Sequence, residues 1–128
     1  MKSNKFFITF LLKFTFTILL GQCDVGEVEI WDNCYPIETT FEFVLSNQNL
    51  EGSIPESISL LENLMFIDLS NNFLDNELPS QLFDLHNLIS LDLSRNNLTG
   101  EISSNIQMMT NLMYLDLSEN QFIGDIPS

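Results

Sequence analysis

Leu88-Ile89-Ser90-Leu91-Asp92-Leu93-Ser94-Arg95-Asn96-Asn97-Leu98-Thr99-Gly100-Glu101-Ile102-Ser103 is one copy of a pattern that runs through most of this chain. Its centre, Leu91-Asp92-Leu93-Ser94, has counterparts at Phe43-Val44-Leu45-Ser46, Ile67-Asp68-Leu69-Ser70 and Leu115-Asp116-Leu117-Ser118. Each begins 24 residues after the one before, with no insertion. A fixed period of this length marks a solenoid, whose units bury their apolar faces only by stacking on neighbours. Leu88, Leu91 and Leu93 follow the spacing L-x-x-L-x-L. The alternation at Leu91 and Leu93 predicts a short strand with one face buried.

Stacking sets equivalent strands about 4.8 Å apart in a parallel sheet. Leu69, Leu93 and Leu117 then form one buried column, and Ile67, Leu91 and Leu115 a second. Leu64, Leu88 and Leu112 form a third, and Ile54, Leu78, Ile102 and Ile126 a fourth. After each strand the chain must turn, which takes backbone N–H and C=O groups off their ladder. Asn72, Asn96 and Asn120 hold the same place in three units. An inward Asn amide carries donors and an acceptor, so a column of them can satisfy those groups coil after coil. Gln48 stands there in the first unit, where looser geometry is expected.

These residues resemble the leucine-rich repeat over residues 41–128. The tails Gly52-Ser53-Ile54-Pro55 and Gly124-Asp125-Ile126-Pro127 are similar to those of its plant-type, extracellular subclass. Asn76 in place of the usual Gly, and Ser103 in place of the usual Pro, are departures that leave the spacing unchanged. The resemblance implies an α/β-type solenoid forming a right-handed superhelix. Its short parallel β-sheet would lie on the concave face, with turns and 3-10 segments on the convex face. It also implies that partners bind at the outward strand positions.

Residues 1–22 begin with Lys2 and Lys5 and become strongly apolar from Phe6, which predicts a secretory signal peptide. The rival reading is a membrane anchor, but the apolar run is short and holds Lys13. Residues 23–40 are expected to cap the first coil, and 41–128 to form about four repeats, the last incomplete. Cys23 and Cys34 are the only cysteines. An even count in a secreted chain favours a disulfide, with two free thiols as the alternative. Trp31, Tyr35 and Ile37 would add an apolar lid.

All 18 acidic residues follow Cys23, whereas three of the four basic ones precede it, so residues 23–128 keep only Arg95 and carry a formal charge of 1 − 18 = −17. Phosphate binding needs clustered Lys or Arg, so nucleic acid is excluded as a target. A protein or peptide ligand, a basic one above all, or a neutral glycan fits better. Outward strand columns hold Glu42, Phe66, Ser90 and Tyr114; then Val44, Asp68, Asp92 and Asp116; then Asn47, Asn71, Arg95 and Glu119. From these, Phe66, Asp68, Asp92, Arg95, Tyr114 and Asp116 are the candidate ligand contacts. Exposed aromatics on a polar face fit interface anchors, and neighbouring Asp side chains repel one another until a basic ligand arrives. Packing across the strands is the competing role for the aromatics.

His86 has no second His at ligand spacing, no phosphate loop or nucleophile elbow occurs, and no metal or cofactor is implied. An enzyme is therefore not expected. Asn97-Leu98-Thr99 is a glycosylation acceptor. The expected function is recognition at the cell surface or in the extracellular space. The alternative is a scaffold domain of a larger protein with no ligand of its own. The apolar edge at Leu115, Leu117, Phe122 and Ile126 is expected to favour end-to-end self-association.

Overall fold

The computed structural model describes residues 23–127, together with the backbone of two short segments, β1 (Ile8–Thr9) and β2 (Thr17–Ile18), paired antiparallel. Apart from that pairing, the expected signal peptide lies outside the described residues. Among the described residues no helix is long and apolar enough to cross a membrane.

A hairpin opens the described chain. β3 (Glu27–Ile30) and β4 (Asn33–Pro36) pair antiparallel, joined by Trp31 and Asp32. Both turn residues have positive φ, 46° and 59°, as a mirror-image two-residue turn requires. Val28 and Ile30 alternate with exposed Glu29 and are buried. Across the hairpin, Tyr35 meets Phe43 edge-on with ring centroids 4.8 Å apart, and Trp31 stacks on it at 6.2 Å. Cys23 and Cys34 are disulfide-bonded, which ties the chain before β3 to β4. The hairpin packs against the first coil: Val28 and Ile30 join the core, and β3 lies against the segment Glu56–Leu60.

The solenoid follows. β5 (Glu42–Val44), β7 (Phe66–Asp68), β9 (Ser90–Asp92) and β10 (Tyr114–Asp116) form one parallel sheet in spatial order β10-β9-β7-β5. Its register pairs residues 24 apart throughout, as in Phe43 with Ile67 with Leu91 with Leu115. Repeat length and ladder register are therefore the same quantity. Opposite the strands, each of the first three coils returns through a short 3-10 helix, at Glu56–Leu60, Ser80–Asp84 and Ser104–Met108. Pro55 and Pro79 precede the first two, with φ of −68° and −65°. Ser103 takes the same backbone at φ −58°, and its hydroxyl accepts from the Asn105 N–H, so it replaces a rigid ring with a side-chain cap. Asn76 sits at φ 64°, where Gly52, Gly100 and Gly124 have 77°, 82° and 75°. Asn is the side chain that best tolerates this left-handed conformation, which explains the departure from Gly.

A second, narrower ladder runs along the flank that follows the turn. β6 (Glu51–Gly52) pairs parallel with β8 (Phe73–Leu74), and Glu101 bridges to Ile123. The sequence reading did not anticipate it.

The core is the expected set of columns. Leu64, Ile67, Leu69, Leu88, Leu91 and Leu93 are all buried. Leu82, Phe83 and Leu85, outside those columns, are buried as well. The fourth column holds less uniformly: Ile54 and Ile102 are buried, Leu78 is half-buried, and Ile126 is 66% exposed. Ile126 belongs to the outermost described coil, where Leu112, Leu115, Leu117 and Phe122 are half-buried too.

The turn asparagines act as expected. Asn96 Nδ2 donates to the carbonyls of Leu69, Leu93 and Ser94, and its Oδ1 accepts from the Leu74 N–H at 3.0 Å. Asn72 and Asn120 repeat this one coil earlier and one later. Gln48 does not take the inward place. Its side chain is exposed and donates to its own neighbour, the Ser46 carbonyl, while its backbone N–H goes to Asn72 Oδ1. No earlier repeat coil offers it carbonyls to bridge. Among the described residues no buried side-chain polar atom lacks a partner.

Candidate functional site

Four short strands set the candidate face, because alternation sends every second side chain outward. The ladder brings Glu42, Phe66, Ser90 and Tyr114 into one row and Val44, Asp68, Asp92 and Asp116 into the next. Both expected rows are therefore present in the expected order. Phe66 is 39% exposed and Tyr114 50% exposed, so neither ring is packed away across the strands. Ser90, small and half-buried, stands between them. The face is a shallow trough of about 550 Å³, lined by Glu42, Val44, Phe66, Asp68, Ser90, Asp92 and Tyr114.

The Asp row has a structural task that spacing did not reveal. Asp68 Oδ1 accepts from the Ser70 N–H at 3.0 Å and from its hydroxyl at 2.6 Å. Asp92 does the same with Ser94, at 3.0 and 2.7 Å. Asp116 Oδ1 accepts from the Ser118 N–H at 2.9 Å, and Tyr114 donates to its Oδ2 at 3.3 Å. Hydrogen bonding from the Ser118 side chain, then from its N–H, holds the Asp116 carboxyl below its ordinary value. Desolvation, followed by the carboxylates of Asp116 and Asp92, pushes the Tyr114 phenol above its own. Each Asp thus clamps the end of its strand with one oxygen. In Asp68 and Asp92 both of these bonds fall on Oδ1.

The third row lies at the strand ends. Asn47, Asn71, Arg95 and Glu119 all have positive φ, between 53° and 58°. The chain turns there, so the position is set by backbone geometry. Asn71 donates across to Asn47, and Arg95 Nε lies 3.0 Å from Glu119 Oε1. That ion pair is well exposed on both sides, at 63% and 64%, so it contributes little stability. Arg95 is thereby drawn toward Glu119 along the row and away from the trough.

A second surface groove escaped the sequence reading. Phe41, Met65, Ile89 and Met113 recur at the same 24-residue spacing on the flank preceding the strands, and Asn63, Asn87 and Asn111 run beside them. This groove measures about 460 Å³. Each of the three Asn side chains donates to a carbonyl of the preceding coil: Glu38, Glu62 and His86. The signal was available in the period itself, in the Asn-Leu pair that precedes three of the four strands.

Cys23, Glu27 and Cys34 bring ligand-type atoms within 4.8 Å of one another. Both sulfurs are bonded to each other, so they offer no thiolate. His86 is exposed on the convex side, near Asp84 and Glu62. Asn97 is exposed on the flank that carries β6 and β8, away from the trough.

A family model described as Leucine Rich Repeat matches residues 63–85, and one described as Leucine Rich repeats (2 copies) matches residues 86–128. Curated proteins yield no match. Among solved structures, the chain is similar to one from the BIR3–SERK2 complex of Arabidopsis thaliana: 41% identity over 66% of this chain and 46% of that one, TM-score 0.64. It is similar to one from the Arabidopsis receptor kinase HAESA in complex with the peptide hormone IDA and the co-receptor SERK1: 42% identity, 68% of this chain, 15% of that one, TM-score 0.65. A plant ice-binding protein matches at 38% identity over 64% of this chain and 26% of that one, TM-score 0.56. The chain spans less than half the length of each of these structures. With the repeat, the ladder and the relatives in agreement, the chain belongs to the leucine-rich-repeat family in its plant form and is similar to the ectodomains of plant receptor kinases.

Proposed function

We propose that this chain is a secreted or cell-surface recognition module, without catalytic activity, that binds an extended peptide segment of a protein or hormone along its strand face. In this reading an Arg or Lys side chain of the ligand sits over Ser90, between Phe66 and Tyr114. The observation that carries it is the pair of exposed rings flanking a small residue in one row, with the acidic row alongside. A cation over an aromatic face gains roughly 0.5–2 kcal/mol, more as water is excluded. The carboxylates of Asp68 and Asp92 add attraction, and a charge of −17 over residues 23–128 steers basic ligands inward. The peptide-hormone complex named for the receptor-kinase relative supports the ligand class. The extracellular placement is supported by the apolar, Lys-led residues 1–22 and by the receptor-ectodomain relatives.

The test is a fluorescence-polarisation titration of the full chain with labelled random heptapeptides, one pool with Arg fixed at the centre and one with citrulline there. The Arg pool should bind saturably and weaken with salt. Phe66→Ala and Tyr114→Ala should each weaken it by about 2- to 5-fold. Equal binding of the two pools, or indifference to both substitutions, would sink the cation reading. Equal binding combined with sensitivity to both substitutions would favour a neutral occupant stacked on the rings, such as a glycan. No saturable binding by either pool would favour the scaffold role.

A further inference from the structure

We infer that the peptide ligand carries an apolar side chain of Leu or Ile size two residues from its basic one, seated over Val44 and Phe66 at the β5 end of the trough. The inference rests on the proposed seat of the basic side chain over Ser90, and adds a second recognised residue to it. Val44 interrupts the acidic row: the ladder sets it beside Asp68 on β7, with Asp92 and Asp116 following. Each of those three accepts a hydrogen bond from the backbone N–H of the Ser two residues on. Val44 has no acceptor to offer Ser46, so its coil forgoes that clamp. Nor does Val44 serve the core, since it is 57% exposed while Phe43 beside it is buried.

A lone exposed Val is ordinary on a protein surface. Val44, however, has Phe66 as its diagonal neighbour, one strand across and two residues back, and both line the trough. The other two corners of that square are Glu42 and Asp68, which limits the apolar patch to one side chain. The trough therefore differs along its length. Its β5–β7 end offers an apolar pair, and its β9–β10 end offers Tyr114 with Asp92 and Asp116.

Spacing sets the register of the ligand. Adjacent strands lie about 4.8 Å apart, so the midpoint between β5 and β7 is about 7 Å from β9, under the basic side chain. An extended peptide crossing the strands presents a side chain to one face every second residue, about 6.7 Å apart. Residues one and three positions away point off the sheet, and one four positions away reaches past β5. The apolar residue thus stands two positions from the basic one, before or after it according to the direction of the peptide.

The full chain would be titrated by fluorescence polarisation with labelled heptapeptides that hold Arg at the centre and Ser elsewhere. Leu is then placed in turn at each of the flanking positions. Leu two residues before Arg, or two after it, should tighten binding by about 5- to 10-fold, the effect of covering about 50 Å² of apolar surface. Leu at the nearest and farthest flanking positions should bind like the Leu-free parent. Val44→Asp completes the acidic row and should bring the Leu peptide and its parent to within about 2-fold of each other. If circular dichroism shows Val44→Asp to be misfolded, Val44→Thr decides. It keeps the branched shape, exchanges one methyl for a hydroxyl, and should cut the gain by about 2- to 4-fold. Equal tightening at every position, tightening at none, or a gain that survives the substitution overturns the inference while the basic seat stands. Citrulline-centred copies test that seat separately. Equal affinity of the Arg and citrulline copies, or no saturable binding by any of the peptides, overturns both.

Discussion

Asn96 ties two coils together, since its amide reaches the Leu69 carbonyl and accepts from the Leu74 N–H while also bonding within its own turn. The side chain of Asn97, next in sequence, is exposed, and only its backbone N–H reaches the preceding coil, at the Leu74 carbonyl. Removing the inward amide leaves several buried backbone groups without partners, at roughly 1–3 kcal/mol. In an unglycosylated host Asn96→Ala should therefore lower the melting temperature clearly, and Asn97→Ala should leave it nearly unchanged. Equal melting temperatures would contradict the assigned orientations. Asp116 offers a second test at this scale. Its folded pKa is depressed, chiefly by hydrogen bonds from Ser118. Such a group adds stability above its unfolded value, about 4, and loses that contribution as pH falls through the folded value. Ser118→Ala should move the Asp116 pKa upward, as read from its carboxyl carbon shift in an NMR titration. An unmoved value would assign the depression to some other cause.

Two elements depend on short-range chemistry that can be altered without touching the strands. The third 3-10 helix, Ser104–Met108, starts after Ser103, whose φ of −58° and ψ of 141° already match those before the other two. Proline fits that backbone and narrows the unfolded ensemble. Ser103→Pro should stabilise by about 0.4–1 kcal/mol, less whatever the lost hydroxyl cap contributed. Ser103→Ala, which loses the cap and gains no rigidity, should be the less stable of the two in urea unfolding. The capping hairpin depends on Cys23–Cys34 and on the packing of Trp31 and Tyr35 against Phe43. Replacing Cys34 by Ser should cost about 2–3 kcal/mol in the chain-entropy account. It should also shift the Trp31 emission toward that of solvated indole. Unchanged emission and stability would mean that hairpin packing alone holds the cap.

Across the whole molecule, nearest-neighbour stacking and net charge oppose each other. Every coil contacts only the coils beside it, so stability accumulates along the solenoid. The 18 carboxylates of residues 23–128 are offset by Arg95 alone. Raising salt from about 0.01 M to 0.15 M shortens the screening length from roughly 30 to 8 Å. The melting temperature should rise over that range and then flatten, whereas a neutral osmolyte of equal osmolality should not reproduce the early rise. A flat response to salt would show that the carboxylates are already too far apart to repel.

The strands, the inward columns and the turn asparagines were legible because each appears several times at one spacing. In a solenoid that spacing is also the contact distance along the chain. Phe66 and Tyr114 could be placed in one outward row for the same reason. The capping hairpin was not legible as a hairpin: it occurs once, and its turn is made by Trp31 and Asp32 rather than by the residues that usually mark such turns. Nor did spacing reveal that Asp68 and Asp92 bind their own Ser neighbours, that Gln48 turns outward, or that Arg95 pairs with Glu119. A repeat pattern states which residues share a column. Which hydrogen bond each polar side chain makes depends on the donors and acceptors that the adjacent coil happens to present, and those exist only once the coils have stacked.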